Sequence, residues 1–165
     1  SLKYVRVWYG GADISPDPND PENSGNELNG ITLAGVGSGT TLENCEVAWN
    51  KDDGFEFFGG TVSGKYLSSI YCQDDAFDTD QGYQGTLQFI FALVDTDGHH
   101  AAEMDGKQSA TAPISQPQVY GATFIKAGHT TKHGLVRLRA GTAGAHANPI
   151  ITGTAGRRHP SRRAD

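Results

Sequence analysis

No apolar run in the 165-residue sequence approaches the roughly 18 residues that a membrane-crossing helix requires, so no helical membrane span is expected. Cysteine is scarce as well. Cys45 and Cys72 stand alone in apolar, strand-like surroundings without a CxxC spacing, which speaks against a thiolate zinc site and favours two buried thiols over a disulfide. Signal-peptide and lipidation patterns are missing, as are a phosphate-binding loop, a dinucleotide fingerprint and a nucleophile elbow. Positive charge is almost absent from the middle of the chain. Between residues 52 and 105 eleven carboxylates face one base, Lys65, a field that repels nucleic acid and removes it from the expected partners. Nor does any stretch of ordinary helix length carry a 3.6-residue apolar period.

What is present is a phrase written several times. "DDGFEFFGG" at residues 52–60 is followed by "DDAFDTDQG" at 74–82. Looser copies are Asn29-Gly30-Ile31-Thr32-Leu33, His100-Ala101-Ala102-Glu103-Met104 and, after an insertion, His133-Gly134-Leu135-Val136-Arg137-Leu138. The first four copies are spaced by 24, 22 and 25 residues, and short β-type segments such as "TTLENCEVAW", "GKYLSSIYC" and "GTLQFIFALV" lie between them. A leucine-rich repeat of this period would need its Leu and Asn framework, and a propeller blade needs about 40 residues. A parallel β-helix satisfies the pattern: one repeat per coil, with equivalent residues stacked roughly 4.8 Å apart. Expected are about five coils of 22–25 residues over residues 1–155, with surface loop insertions. The tail at 156–165 has four arginines and no strand pattern, and is expected to be disordered or artefactual. Because "SLKYVRVWYGG" starts as if inside a strand, the chain is expected to be a piece of a longer one, with open coil ends that offer a route to self-association.

Strand alternation sorts the phrase into two faces. Phe55, Phe57, Phe77, Thr79, Ala102 and Met104 are expected inside, with Glu56, Asp78 and Glu103 in one outward column and Phe58, Asp80 and Asp105 in another. In the fifth copy a slip of one residue, absorbed by a bulge, keeps Arg137 and Arg139 outside and sets Arg137 at the end of the Asp80 and Asp105 column.

"NELNGITLAGVGSGTTLENCEV", "DDGFEFFGGTV", "DDAFDTDQGYQGTLQF" and "HGLVRLRAGTAG" resemble a family of uncharacterised secreted bacterial right-handed parallel β-helix proteins. The likeness spans roughly residues 2 to 154. It implies a right-handed solenoid and a secreted or cell-surface place, and no settled chemistry. More distantly the shape is similar to pectate-lyase-like enzymes and polygalacturonase-type hydrolases, whose strand-borne carboxylates work on acidic polysaccharides; that second likeness is one of fold. One departure is "GHHAAEMDG", where His99 and His100 replace carboxylates.

Two carboxylates 4.8 Å apart repel by about 3.5 kcal/mol at an effective dielectric near 20, so a stack of them needs raised pKa values or a counter-ion. Calcium suits such oxygen ligands, and Asp52, Asp53, Asp74, Asp75, Asp78 and Asp80 offer six carboxylates within two coils. The competing reading is a solvated acidic ladder with turn aspartates. The loop "ADISPDPNDPENSGNE" lacks the EF-hand pattern and reads as a surface insertion. Two functions remain open. A surface module would bind a polysaccharide or cell-surface glycan through Glu56, Phe58, Asp105 and the aromatic rings of Trp49, Tyr71 and Tyr83. A lyase or hydrolase would use Asp78, Asp80 and Glu103 as acid–base groups, with His100, Lys107 or Arg137 as a base. A structural stalk fragment without ligand is the third reading, and no organic cofactor is expected.

Overall fold

A computed structural model describes residues 1–12, 28–106, 113–127 and 133–153. Among these residues there are 17 strands and no helix. The first coil holds β1 (Leu2–Lys3), β2 (Arg6–Trp8) and β3 (Ile31–Ala34), and the second β4 (Thr41–Glu43), β5 (Glu46–Ala48) and β6 (Phe55–Phe58). The third holds β7 (Ser63–Lys65), β8 (Ser68–Ile70) and β9 (Phe77–Asp80), and the fourth β10 (Thr86–Gln88), β11 (Phe91–Val94) and β12 (Ala102–Asp105). β13 (Gln118–Tyr120), β14 (Thr123–Lys126) and β15 (Val136–Arg139) make the fifth, and β16 (Ala145–Ala147) and β17 (Ile150–Gly153) begin a sixth. Every third strand pairs in parallel, giving a first sheet β1-β4-β7-β10-β13-β16, a second β2-β5-β8-β11-β14-β17 and a third β3-β6-β9-β12-β15. The chain is a right-handed parallel β-helix of five to six coils. The "ADISPDPNDPENSGNE" loop from Asp13 on to Glu27, Lys107 and the basic tail lie outside the described residues.

The repeated phrase is the third sheet. Ile31, Phe55 and Phe77 share one column and Leu33, Phe57 and Thr79 the next inward one, both buried. Phe55 and Phe77 stack 5.2 Å apart with their planes 8° from parallel. Burial of each such ring contributes about 2 kcal/mol. Cys45 and Cys72 are free, buried thiols within this core.

A second column explains how coils turn with a single glycine at this corner, Gly121 after β13. Tyr4, Asn44, Tyr66, Phe89 and Asn148 follow the strands of the first sheet and all have φ between 54° and 57°. Each costs about 1 kcal/mol in that left-handed region. The conformation aims the amide along the axis: Tyr4 N–H donates to the Glu43 carbonyl, Asn44 to Lys65, Tyr66 to Gln88 and Phe89 to Tyr120. The chain therefore bends in one residue and still keeps its inter-coil hydrogen bonds.

The fifth coil carries one extra residue. In earlier coils successive amides use successive carbonyls, Gly54 to Asp75 and Phe55 to Ala76, whereas Ala101 and Ala102 both donate to the Leu135 carbonyl. That local bulge turns Val136 inward and sets Arg137 opposite Glu103 and Arg139 opposite Asp105. The expected place of Arg137 is corrected accordingly: it ends the Glu56, Asp78 and Glu103 column, and Arg139 ends the other.

Candidate functional site

The doubled aspartate sits at the corner between the second and third sheets. Its second member is buried: Asp53 and Asp75 are 6% and 4% exposed. Asp53 Oδ1 accepts the Asp75 N–H at 2.9 Å, and Asp75 Oδ1 accepts the His100 N–H at 2.7 Å. Each thus caps the equivalent amide of the next coil, which is why the acid recurs with the coil. Asp75 Oδ1 also meets His100 Nδ1 at 2.7 Å, and His100 Nδ1 lies 3.2 Å from Glu103 Oε2. Asp75, His100 and Glu103 are all buried. The first members look outward. Asp74 pairs with His99 Nδ1 at 2.5 Å, and the His99 ring stacks on His133 at 4.2 Å.

On the outer face of the third sheet Thr32, Glu56, Asp78, Glu103 and Arg137 form one continuous column. Asn29 Nδ2 donates to Glu56 Oε2 and, at 3.3 Å, to Thr32 Oγ1. Asp78 Oδ1 is buried without a hydrogen-bond partner among the described residues. Burial, reinforced by Asp75, Glu56 and Glu103, pushes the Asp78 carboxyl up to about 9. Burial likewise takes Glu56 up to about 7, against the pull of the Asn29 hydrogen bond. Asp53 is driven well above the ordinary carboxylate range by burial and by Asp78 and Asp75.

Glu103 behaves in the opposite sense. Burial raises it, but Arg139 Nη1 at 2.5 Å and Arg137 Nη1 at 3.1 Å outweigh burial and leave it below its usual value. Arg139 Nε also holds Asp105 Oδ1 at 2.7 Å. Asp80 and Asp105, expected on the exterior, are on the outer side of the sheet yet only 3% and 4% exposed. Asp80 Oδ1 accepts the Gln81 N–H at 2.5 Å, and burial and Asp105 raise its pKa. The column is divided into a half around Asp78, whose carboxyls are pushed up by burial and by one another, and a half around Glu103 that Arg137 and Arg139 neutralise.

The six candidate metal carboxylates fall into separate places. Ligand oxygens of Asp53, Glu56 and Asp78 lie within 4.8 Å of one another, as do those of Asp52, Asp53 and Asp74, while Asp80 belongs to neither group. Two further groups, Asp74/Asp75/His99 and Asp75/His100/Glu103, mix in an imidazole nitrogen. Calcium takes oxygens at about 2.3–2.6 Å, so its ligands stand at most about 5 Å apart. Both all-oxygen sets meet that demand; the set Asp53, Glu56 and Asp78 includes the orphaned Asp78 oxygen, with Asp53 Oδ1 also capping the Asp75 amide and Glu56 Oε2 accepting from Asn29.

The aromatic candidates also separate. Tyr83 is 0% exposed, packs on Phe57 at 4.8 Å and donates its hydroxyl to the Val62 carbonyl at 2.7 Å. The expectation that it touches a ligand is overturned, because its side chain is packed in the core against Phe57 and Val62 of the preceding coil. Trp49 is 41% exposed and lies in an exterior column with Tyr9 and Tyr71. Tyr9 covers one of its faces at 5.1 Å and Trp8 meets it edge-on at 6.0 Å, so mainly ring edges face solvent. Phe58 is half-buried beside Asp80 and Ala34. Asn29, Arg139 and His133 entered the site unannounced. Arg139 could have been found from the register, and Asn29 from its place three residues before Thr32.

No match was found among curated proteins or among solved structures. A family model described as a pectate-lyase-like β-helix domain matches residues 1–158. That span takes in every described coil, the stacked third sheet and the carboxylates on it, and the chain accordingly belongs to the pectate-lyase-like β-helix domain family.

Proposed function

We propose that the chain is a glycan-binding β-helix module of the cell exterior that takes a calcium ion at Asp53, Glu56 and Asp78 and engages an acidic polysaccharide through it. The observation that carries the reading is the buried, unpartnered Oδ1 of Asp78 beside two further carboxylates. A carboxyl group in that setting must hold a proton or a cation. A hard divalent cation would displace the protons and leave coordination positions for the carboxylate of a uronic acid. Millimolar calcium outside cells suits a site assembled from a few carboxylates on a rigid sheet.

The test is calorimetric titration of calcium into the protein, together with retention on immobilised polygalacturonate in calcium or chelator. Calcium-dependent retention that disappears in Asp78→Asn is expected; equal retention in chelator would sink the proposal. One observation favours a second reading. Glu56, pushed up to about 7, is poised to give and take a proton near neutrality, as a general acid in glycosidic cleavage must. New reducing ends, or unsaturated products absorbing in the ultraviolet, would select that lyase or hydrolase reading over binding alone.

A further inference from the structure

A solenoid in water is expected to present polar side chains on all its outer faces. The first sheet does so, with Glu43, Lys65, Thr86 and Gln88 pointing out, and the third carries the acidic columns. The second sheet breaks the rule. Its outward positions hold Ile70, Phe91, Leu93, Ile125 and Ile150, interrupted by the uncharged Ser68, Thr123 and Thr152. The inward positions of the same strands are mostly apolar, Ala92, Val94 and Phe124 among them, with Ser69 and Lys126 as the polar members. At the β2 end the face carries Arg6 and Glu46, which lie 3.7 Å apart and offset one another, and Trp8, whose indole N–H donates to Glu46. The stacked, exposed rings of Tyr66 and Phe89 border it on one side, and Tyr9, Trp49 and Tyr71 on the other.

We propose that this face is the interface of a homodimer, in which the second sheets of two copies of the chain pack against each other. A flat sheet of branched side chains complements its own copy at the roughly 10 Å spacing of packed sheets. Six strands at about 4.8 Å, about 20 Å across with the bordering rings, bury roughly 600 Å² per copy and about 1,200 Å² in all, the lower bound of a stable interface. Electrostatics select a second copy as well. Among the described residues the outward charges of the second sheet are the opposed pair Arg6 and Glu46, so the copies meet without like-charge repulsion, while a basic partner would be drawn to the acidic columns of the third sheet instead. The same patch on both partners closes the assembly at two.

Sedimentation of the full chain at micromolar concentrations tests this. The wild type is expected as a dimer, and Leu93→Lys as a folded monomer whose thermal melt is little changed, since the substituted side chain points away from the core. Should Leu93→Lys fail to fold, Ile125→Thr carries the test, as threonine already stands in that column at Thr152; it is expected to weaken dimerisation about tenfold. A wild type that stays monomeric at hundreds of micromolar, or a dimer untouched by both substitutions, overturns the proposal. So do assemblies that grow beyond two with concentration, the mark of coils stacking end to end.

Discussion

Replacing Asp78 by Asn keeps the shape of the side chain and removes the proton equilibrium. Asp78 binds its proton more tightly in the folded chain, at about 9 against 3.8 in the unfolded one. Its contribution to stability is therefore full below about pH 4 and is lost as pH rises towards 9. At pH 7 the difference of about three units sets a ceiling of about 4 kcal/mol, at 1.4 kcal/mol per unit. Local relaxation and water reduce that, so Asp78→Asn should stabilise the calcium-free protein at pH 7 by about 2 kcal/mol. For a chain of this size the melting temperature should rise by roughly 4–8 °C. Between pH 4 and 9 the variant should also lose much of the wild-type slope. Thermal melts in chelator across that range measure both effects, and added calcium should raise the wild type's melting temperature and leave the variant's where it was. A lower melting temperature for Asp78→Asn in chelator at pH 7 would refute the reasoning, since it would mean that the ionised carboxylate has a favourable partner.

Gly54→Ala should lower stability by about 2–3 kcal/mol in chemical denaturation, because a Cβ there would stand 2.2 Å from Ser69 Oγ and 2.6 Å from the Ala76 carbonyl. Tyr83→Phe should cost about 1 kcal/mol through the lost hydrogen bond to Val62 and leave polysaccharide retention unchanged, in keeping with a core residue. Arg139→Gln should destabilise the protein at neutral pH by about 1 kcal/mol, a modest value because the guanidinium is half exposed. Since Glu103 is held below its ordinary value, that difference should be present above about pH 4.5 and vanish as pH falls through the folded pKa, which paired acid titrations of the two proteins would reveal.

The coil and its inside–outside pattern were readable because a strand's period of two and a repeat of 22–25 residues leave few architectures open. Phe55, Phe57 and Phe77 therefore fell into place. The acids were harder, since alternation says which side of a sheet a residue is on and nothing of what lies over it. Glu103 and Asp105 are outward and yet buried, under two arginines from a coil whose bulge shifts them by one position. A doubled aspartate carries no mark in the sequence to show that its second acid also caps an amide of the next coil, as Asp53 and Asp75 both do. Tyr83 follows a strand end, where direction depends on the turn, and Gly82, at φ 87°, folds it under the coil. The apolar exterior of the second sheet was foreshadowed by "FIFALV", a run without alternation, which is what a strand covered on both faces looks like.

Diffraction from crystals of the chain soaked in calcium, with terbium as a stronger anomalous scatterer in its place, bears most directly on the stacked carboxylates as a cation site. A peak bonded to oxygens of Asp53, Glu56 and Asp78 at about 2.3–2.6 Å is the expected result. An empty third sheet at saturating metal, with Asp78 still unpartnered, would contradict it.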